Sequence, residues 1–136
     1  MSFGSLSQLY SGLFRKDQIE LAKVLGLHST VLLSWLHTFT YVRNICAHHG
    51  RLWNRQLAIA MIVPKDRRWE GINAKMIISV IFAIKQCLSI LPVQDEIRQL
   101  WQREIEELFA QEVPFPGFYK TLGLNTKITQ HPLWLG

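Results

Sequence analysis

The chain has 136 residues, of which 49% are hydrophobic, and its formal net charge is +5. This length and this apolar content predict one folded domain, residues 1–136, with a single core. The two cysteines form no CxxC pair, which excludes a disulfide framework and a zinc knuckle and favours a reduced, cytoplasmic protein. The N-terminus has no signal-peptide pattern, and polar residues interrupt the most apolar stretch, 76–91, so neither export nor membrane insertion is expected.

Apolar residues recur at helical spacing through most of the sequence. Five helices are predicted in chain order: 3–13, a short helix that Asp17 caps and Gly26 ends, a central helix from Ser29 to near Gly50, 74–91, and an amphipathic helix that starts at Gln94 or Asp95. A last short turn is expected at 118–122. No strand alternation and no internal repeat are visible in the sequence, so the predicted fold class is an all-α helical bundle of about five helices.

Each long helix has a predicted core face. Helix 74–91 is almost wholly apolar and is expected to form the buried centre of the bundle. In the central helix the core face comprises Leu32, Trp35, Leu36, Phe39, Val42 and Cys46. In the amphipathic helix it comprises Ile97, Leu100, Trp101, Ile105 and Leu108.

The segment 41–55 departs from this apolar pattern. It holds three arginines, two asparagines and two histidines, and it lies at the predicted C-terminal end of the central helix. A core helix would carry Leu or Ala at most of these positions, because a buried guanidinium or imidazole without a partner is strongly destabilising. A functional site is therefore expected here.

Basic residues are concentrated on this segment and just after it. Residues 43–68 include six basic residues and one acid, Asp66, and this local excess of five equals the net charge of the whole chain. Such a patch is typical of proteins that bind nucleic-acid backbones, and a solvated basic loop is the alternative. The predicted phosphate-binding residues are Arg51, Arg55, Lys65, Arg67 and Arg68.

An arginine and a histidine can together cleave RNA through its own 2′-hydroxyl group. Histidine transfers protons near neutral pH, and arginine holds two phosphate oxygens beside the reacting phosphorus, so no metal or cofactor is required. On an ideal helix, however, Arg43 and His48 point about 140° apart. A second copy of the chain, related by a two-fold axis, could complete the site, which predicts a homodimer.

The six residues from Arg43 to His48 read Arg-Asn-x-x-Ala-His, which resembles the signature of the HEPN superfamily of all-helical RNA-cleaving domains. The longer run to Arg55, the opening Met-Ser-Phe-Gly-x-Leu-Ser and the tail His-Pro-Leu-Trp are similar to the Abi family of bacterial abortive-infection proteins. The resemblance covers nearly the whole chain and corresponds to a C-terminal portion of longer family members. It implies dimerisation, a composite cleft built from both motifs and a supporting role for Asn44.

Motif and resemblance together predict a metal-independent endoribonuclease of the abortive-infection type. RNA is the expected partner, no cofactor and no membrane association are expected, and an antitoxin or other regulatory partner is left open. The alternative is a non-catalytic HEPN-like module that binds RNA or a protein, and a purely structural helical fragment is a third interpretation. The predicted catalytic residues are Arg43, Asn44, His48 and His49, and which of the two histidines carries the proton is left open.

Several of these residues also have structural interpretations. A histidine in the last turn of a helix interacts favourably with the helix dipole, which applies to His48 and His49. Trp53 and Trp69 are predicted to be core or interface aromatics more than base-stacking platforms. For Asn54 the structural alternative is to satisfy backbone hydrogen bonds in a turn. His28 and His37 lie beside apolar stripes and are also predicted to be structural.

Overall fold

The structure, a computed structural model, describes residues 2–52, 55–110, 118–124 and 126–136. Within these ranges the chain forms helices and no strand, so the predicted all-α bundle is confirmed. The seven α-helices are α1 (Phe3–Ser11), α2 (Arg15–Val24), α3 (Ser29–Ala47), α4 (Ile77–Ile90), α5 (Asp95–Ala110), α6 (Phe118–Thr121) and α7 (Pro132–Leu135). Single turns of 3₁₀-helix occur at Arg67–Trp69 and Ile128–Gln130.

The first two helices pack against α3. The Tyr10 hydroxyl donates a hydrogen bond to the carbonyl oxygen of Gln18 (2.9 Å), which joins α1 to α2. Helix α2 begins at Arg15, two residues before the predicted cap Asp17, which lies in its first turn. Gly26 ends α2 as predicted, because its φ of 68° is in the left-handed region that glycine adopts readily.

Three aromatic side chains form the centre of the core. Trp35 is completely buried, and its ring centroid lies 5.7 Å from that of Trp69. Phe82 contacts Trp69 edge to face on one side (6.4 Å) and stacks on His131 on the other (4.6 Å). Trp69 is therefore a core aromatic, as predicted, whereas Trp53 and Asn54 lie outside the described residues.

The connection between α3 and α4 runs back along α3. Its Ala58 N–H donates to the Tyr41 hydroxyl (3.2 Å) near the C-terminal end of α3, and its Ile62 N–H donates to Ser34 Oγ (2.8 Å) nearer the N-terminal end. Trp35 Nε1 donates to the Ile62 carbonyl (3.0 Å). This path carries the residues that follow Ile62 towards the start of α3.

The predicted core face of α3 is confirmed except at its last position. Cys46 was expected in the core but is exposed. Ile45 is buried in its place, at 8% exposure, where it belongs to a small cluster with Val42, Leu57 and Val80. The connection and α4 cover the side of the helix that Ile45 occupies, and they leave the side of Cys46 open.

Helix α4 begins later than predicted and is less deeply buried. It starts at Ile77 because the preceding residues form a turn, in which the Asn73 side chain accepts a hydrogen bond from the Lys75 N–H (3.0 Å). Residues 78–83 are buried, whereas residues 89–91 are exposed. Only the first half of α4 is therefore the predicted buried centre.

The orientation of α5 differs from the predicted one. Trp101 packs against Trp134 of α7 (5.6 Å between ring centroids), and Trp134 Nε1 donates to Glu106 Oε1 (2.8 Å). These contacts turn the stripe of Trp101, Ile105 and Phe109 towards the core. Three residues that were expected to face inward are consequently exposed: Ile97, Leu100 and Leu108.

The described helices were compared with the length and apolar character that a membrane-spanning helix needs. No single helix there is both long and apolar enough to cross a bilayer. Helices α2 and α3 meet the length and composition requirement only as a pair, and they are bent by 77° at the break between them.

Candidate functional site

The polar motif lies where α3 ends. The helix is continuous to Ala47, with His48 as its C-cap, so the motif occupies its C-terminal end as predicted. The His49 N–H donates to the Cys46 carbonyl (3.1 Å), and the Gly50 N–H donates to the Ile45 carbonyl (2.8 Å). This pair of hydrogen bonds is the Schellman arrangement, in which the chain turns sharply away from the helix axis.

His49 occupies the position in this turn where glycine is usual. Its φ of 55° is left-handed, a conformation that is unfavourable for a residue with a side chain. Strained backbone of this kind is often found at functional sites. The strained backbone is therefore a structural reason, in addition to the sequence motif, to consider His49 a candidate site residue.

The four predicted catalytic residues are all exposed: Arg43, Asn44, His48 and His49. Among the described residues, their side chains form no hydrogen bond or ion pair with another side chain. Their charged and hydrogen-bonding groups are therefore available to a ligand.

Arg43 and Asn44 face opposite sides of α1. Arg43 lines an apolar groove of about 610 Å³ that α1, α2, α3 and α4 enclose. Asn44 lines a second groove, of about 850 Å³, between α1, α3 and residues 59–62. His48 follows Asn44 by four residues and so lies on nearly the same face of the helix. Within one copy of the chain, Arg43 and His48 therefore point in different directions.

The apolar groove beside Arg43 has exposed hydrophobic walls. Among its described lining residues, Arg43 is the one with a charge. Phe39 and Val42 lie next to it on α3, and Leu9 on the rim is 55% exposed. A continuous apolar surface of this kind is typical of interaction sites.

Arg55 folds back towards the end of α3. A Cβ atom placed on Gly50 would lie 3.3 Å from Arg55 Nη1 and only 2.5 Å from Ile45 Cγ2. Glycine is thus the residue that fits this turn and allows the Arg55 guanidinium to approach the motif. From the sequence, Gly50 was predicted only to end the helix, although its position between two histidines and two arginines was a signal for this tighter role.

The predicted basic patch is divided between the two ends of α3. Arg51 and Arg55 follow the motif directly, whereas Lys65 and Arg68 line a separate cleft with His28 at the start of the helix. Because α3 has 19 residues, the two ends are about 28 Å apart. The sequence placed all five basic residues around one cleft, and the path of the connection along α3 is the reason that they are separated.

Arg67 and Arg68 lie in the 3₁₀ turn after Asp66. Arg68 Nη2 forms an ion pair with Asp66 Oδ2 (2.7 Å), and Arg67 is exposed. The hydrogen bonds from the Arg68 side chain and backbone lower the pKa of Asp66. This pairing occupies much of the Arg68 guanidinium.

Two of the remaining histidines have structural contacts. His37 Nδ1 lies 3.2 Å from the buried Ser7 Oγ, a hydrogen bond that joins α1 to α3 and agrees with its predicted structural role. His131 Nδ1 accepts a hydrogen bond from the Leu133 N–H (3.2 Å) at the start of α7. His28 is exposed at the N-cap position of α3. In the described parts of the chain, no three His, Cys, Asp or Glu side chains form a group that could hold a metal ion.

Comparison with known proteins shows similarity to one protein family. The model of a family described as Abi-like protein matches residues 1–54, a range that includes α1, α2, α3 and the motif. Neither the curated proteins nor the solved structures provide a match. The matched range is shorter than the predicted resemblance, so the similarity of the tail stays a prediction, and the HEPN assignment is consistent with the matched family. Residues 1–54 are thus similar to the Abi-like family, and this similarity supports a protein of the abortive-infection type.

Proposed function

We propose that this protein is a metal-independent endoribonuclease that acts in anti-phage defence by abortive infection. The observation that carries the proposal is the end of α3, where Arg43, Asn44, His48 and His49 are exposed together within seven residues. These residues lie inside the segment that matches the Abi-like family. An exposed arginine beside exposed histidines supplies the charge and the proton transfer that RNA cleavage needs.

Each motif residue has a defined role in the proposed reaction. His48 removes the proton of the RNA 2′-hydroxyl, and the 2′-oxygen attacks the adjacent phosphorus. Arg43 stabilises the negative charge that develops on the phosphate oxygens, and Asn44 orients the phosphate. His49, the second proton carrier, donates a proton to the 5′-oxygen as the bond between that oxygen and phosphorus breaks. The products are a 2′,3′-cyclic phosphate and a 5′-hydroxyl end.

The proposed site is shared by two subunits. Arg43 and His48 diverge on α3, so one copy of the chain does not direct both side chains at the same phosphate. A two-fold axis near the end of α3 would bring Arg43 of one protomer to His48 of its partner. The apolar groove supports this arrangement, because its burial against a second copy would remove exposed hydrophobic surface next to Arg43. Phe39 and Val42 line that groove, whereas the buried Trp35 belongs to the core.

Arg51 and Arg55 are proposed to hold the RNA backbone near the scissile phosphate. Both follow the motif in the chain, and Arg55 Nη1 lies close to the Gly50 turn. Arginines at such positions neutralise phosphates with little preference for base sequence.

The test is incubation of the purified protein with end-labelled RNA in the presence of EDTA. Cleavage is expected to proceed and to leave cyclic phosphate and 5′-hydroxyl ends. His48→Ala and Arg43→Ala should each lower the rate by about two orders of magnitude while the protein stays folded. Arg103→Ala, which removes an exposed arginine of α5, is the matched control and should retain full activity.

Three results would contradict the proposed mechanism. They are a requirement for a divalent metal ion, 5′-phosphate products, and a fully active His48→Ala variant. A 2′-deoxy substitution at the scissile position should also block the reaction, because the attacking oxygen is then missing. Salt-dependent RNA binding without any cleavage would support the alternative of a non-catalytic RNA-binding module.

A further inference from the structure

The apolar groove beside Arg43 has the form of a binding site for a long, narrow ligand. Its floor includes buried side chains of α3 and α4, such as Leu36 and Val80. Its rim includes exposed apolar side chains, such as Val24 at the end of α2 and Leu91 at the end of α4. The volume of about 610 Å³ is within the range of sites for small molecules.

The groove follows α3 for a length that matches one acyl chain. Its lining residues on α3 run from Leu32 to Arg43. At a rise of about 1.5 Å per residue, this part of the helix is about 16 Å long. The hydrocarbon core of a bilayer is two acyl chains thick and measures about 30 Å, so one chain occupies about 15 Å. An acyl chain of the length found in membrane lipids therefore fits along α3.

The charge of the groove is confined to one end. Of the described residues that line it, Arg43 alone is charged, and it is the last of them on α3. Its side chain forms no hydrogen bond or ion pair with another described side chain. A guanidinium binds a carboxylate through two parallel hydrogen bonds. A fatty acid has the matching distribution, with one anionic end and an apolar remainder.

The polar atoms elsewhere in the lining do not compete with Arg43 for an anionic group. Burial raises the pKa of the Cys87 thiol to about 11, so this group of α4 is neutral near pH 7. The Tyr10 hydroxyl already donates a hydrogen bond to the carbonyl oxygen of Gln18. The head group of an anionic ligand therefore has its partner at the Arg43 end of the groove.

We propose that the apolar groove binds one molecule of a free long-chain fatty acid, with its acyl chain along α3 and its carboxylate on Arg43. The fatty acid and a second copy of the chain exclude each other, because both cover the same apolar surface. The carboxylate also occupies the guanidinium that would otherwise hold an RNA phosphate. This regulatory consequence rests on the proposed function, whereas the binding of the fatty acid does not.

Titration calorimetry of the full chain with laurate, below its micelle-forming concentration, tests the binding. Laurate should bind with one molecule per chain. Dodecyltrimethylammonium has the same number of chain carbons and a cationic head group, and it should bind at least about tenfold more weakly because Arg43 repels it. Myristate has two more CH₂ groups than laurate and should bind about tenfold more tightly, because each buried CH₂ adds to the affinity.

Two pairs of variants locate the ligand. Arg43→Gln should lower laurate affinity by about tenfold or more, whereas Arg103→Gln removes an exposed arginine of α5 and should bind laurate as the parent protein does. Val24→Asp places a carboxylate on the exposed rim of the groove and should also lower laurate affinity. Its matched control, Ile97→Asp, changes an exposed apolar residue outside the groove and should not.

Light scattering in the presence of laurate tests the regulatory consequence. Saturating laurate should convert the parent protein to monomer and inhibit RNA cleavage. A dimer that persists at saturating laurate would overturn the mutual exclusion. Binding is measured without RNA, so Arg43-dependent laurate binding by a protein that cleaves no RNA would contradict the proposed function and support the fatty-acid site.

Three binding results would overturn the proposal. They are absence of laurate binding, equal affinity for laurate and dodecyltrimethylammonium, and equal weakening by Val24→Asp and Ile97→Asp. Binding to anionic lipid vesicles without binding to laurate in solution would assign the groove to a membrane surface and would also overturn it.

Discussion

His49 combines backbone strain with a proposed proton-transfer role, and the two can be measured separately. Its φ of 55° is unfavourable for histidine and favourable for glycine. His49→Gly should therefore raise the free energy of unfolding by about 0.5–1 kcal/mol in denaturant titrations, after allowance for the greater unfolded-state entropy of glycine. If His49 carries a proton, RNA cleavage should fall in this more stable variant.

The neighbouring histidine provides the control for this prediction. His48 has a negative φ of −98°, so glycine relieves no strain there. His48→Gly should leave stability unchanged or lower it. A His49→Gly protein that is less stable than the parent would show that the imidazole makes a stabilising contact that outweighs the strain.

His131 is the residue whose protonation couples most directly to the core. Burial lowers its pKa, and its ring stacks on the fully buried Phe82. The unfolded chain therefore binds a proton more readily than the folded protein does. The contribution to stability is fully present above about pH 6.5, the pKa of an unfolded-state histidine, and is lost as the pH falls towards the folded-state pKa.

His131→Asn tests this coupling. Asparagine can still accept the hydrogen bond from the Leu133 N–H, but it does not titrate. The variant should be less stable at pH 7, because the stacking on Phe82 is lost. Its free energy of unfolding should then decrease less than that of the parent between pH 7 and pH 5. An identical decrease in the two proteins would exclude His131 as a source of the acid sensitivity.

At the scale of secondary structure elements, the apolar groove is the surface on which the proposed dimer depends. Leu9 on its rim is 55% exposed. Leu9→Lys should weaken self-association by about tenfold or more, since it places a charge on a surface that the dimer buries. Light scattering over a micromolar concentration range would measure the change.

Leu100 is a matched control for Leu9. It is also exposed, at 49%, but it lies on α5 and does not line the groove. Leu100→Lys should leave self-association unchanged. A parent protein that stays monomeric, or equal weakening by both substitutions, would contradict a dimer interface in this groove.

The helices were predictable from sequence because their periodicity and end signals are local. Gly26 and Pro92 mark helix ends, and Ser29 marks the start of α3, which is where the structure has it. The rotation of a helix about its own axis is set by packing partners distant in the sequence. For this reason the prediction failed at Cys46, because Leu57 of the connection and Val80 of α4 cover the side of Ile45 instead. It also failed along α5, which the contacts of Trp134 orient.

The polar motif could be recognised from the sequence, but the arrangement of the residues around it could not. The motif from Arg43 to His49 stands out because polar residues interrupt an apolar helix. The division of the basic residues was not predictable, because it depends on hydrogen bonds from the connection to Ser34 and Tyr41 on α3. The left-handed conformation of His49 also had no signal in the sequence, where glycine would have been the usual marker.

At the scale of the whole molecule, the basic residues at the motif should dominate RNA binding. Arg51→Gln/Arg55→Gln should weaken RNA affinity and reduce the slope of log affinity against log salt by about two, one for each lost phosphate contact. The control Lys16→Gln/Lys75→Gln removes the same charge and should leave that slope unchanged. Affinity that does not depend on salt in the parent protein would contradict phosphate binding altogether.

The central claim is a site that needs Arg43 from one protomer and His48 from its partner, and subunit mixing tests it most directly. Arg43→Ala and His48→Ala proteins, each inactive alone, are mixed in equal amounts and allowed to exchange subunits. Half of the dimers are then mixed dimers with one intact site of two, so RNA cleavage should recover to about a quarter of the parent activity. A mixture that stays as inactive as its components, although exchange is shown to occur, would contradict a shared site.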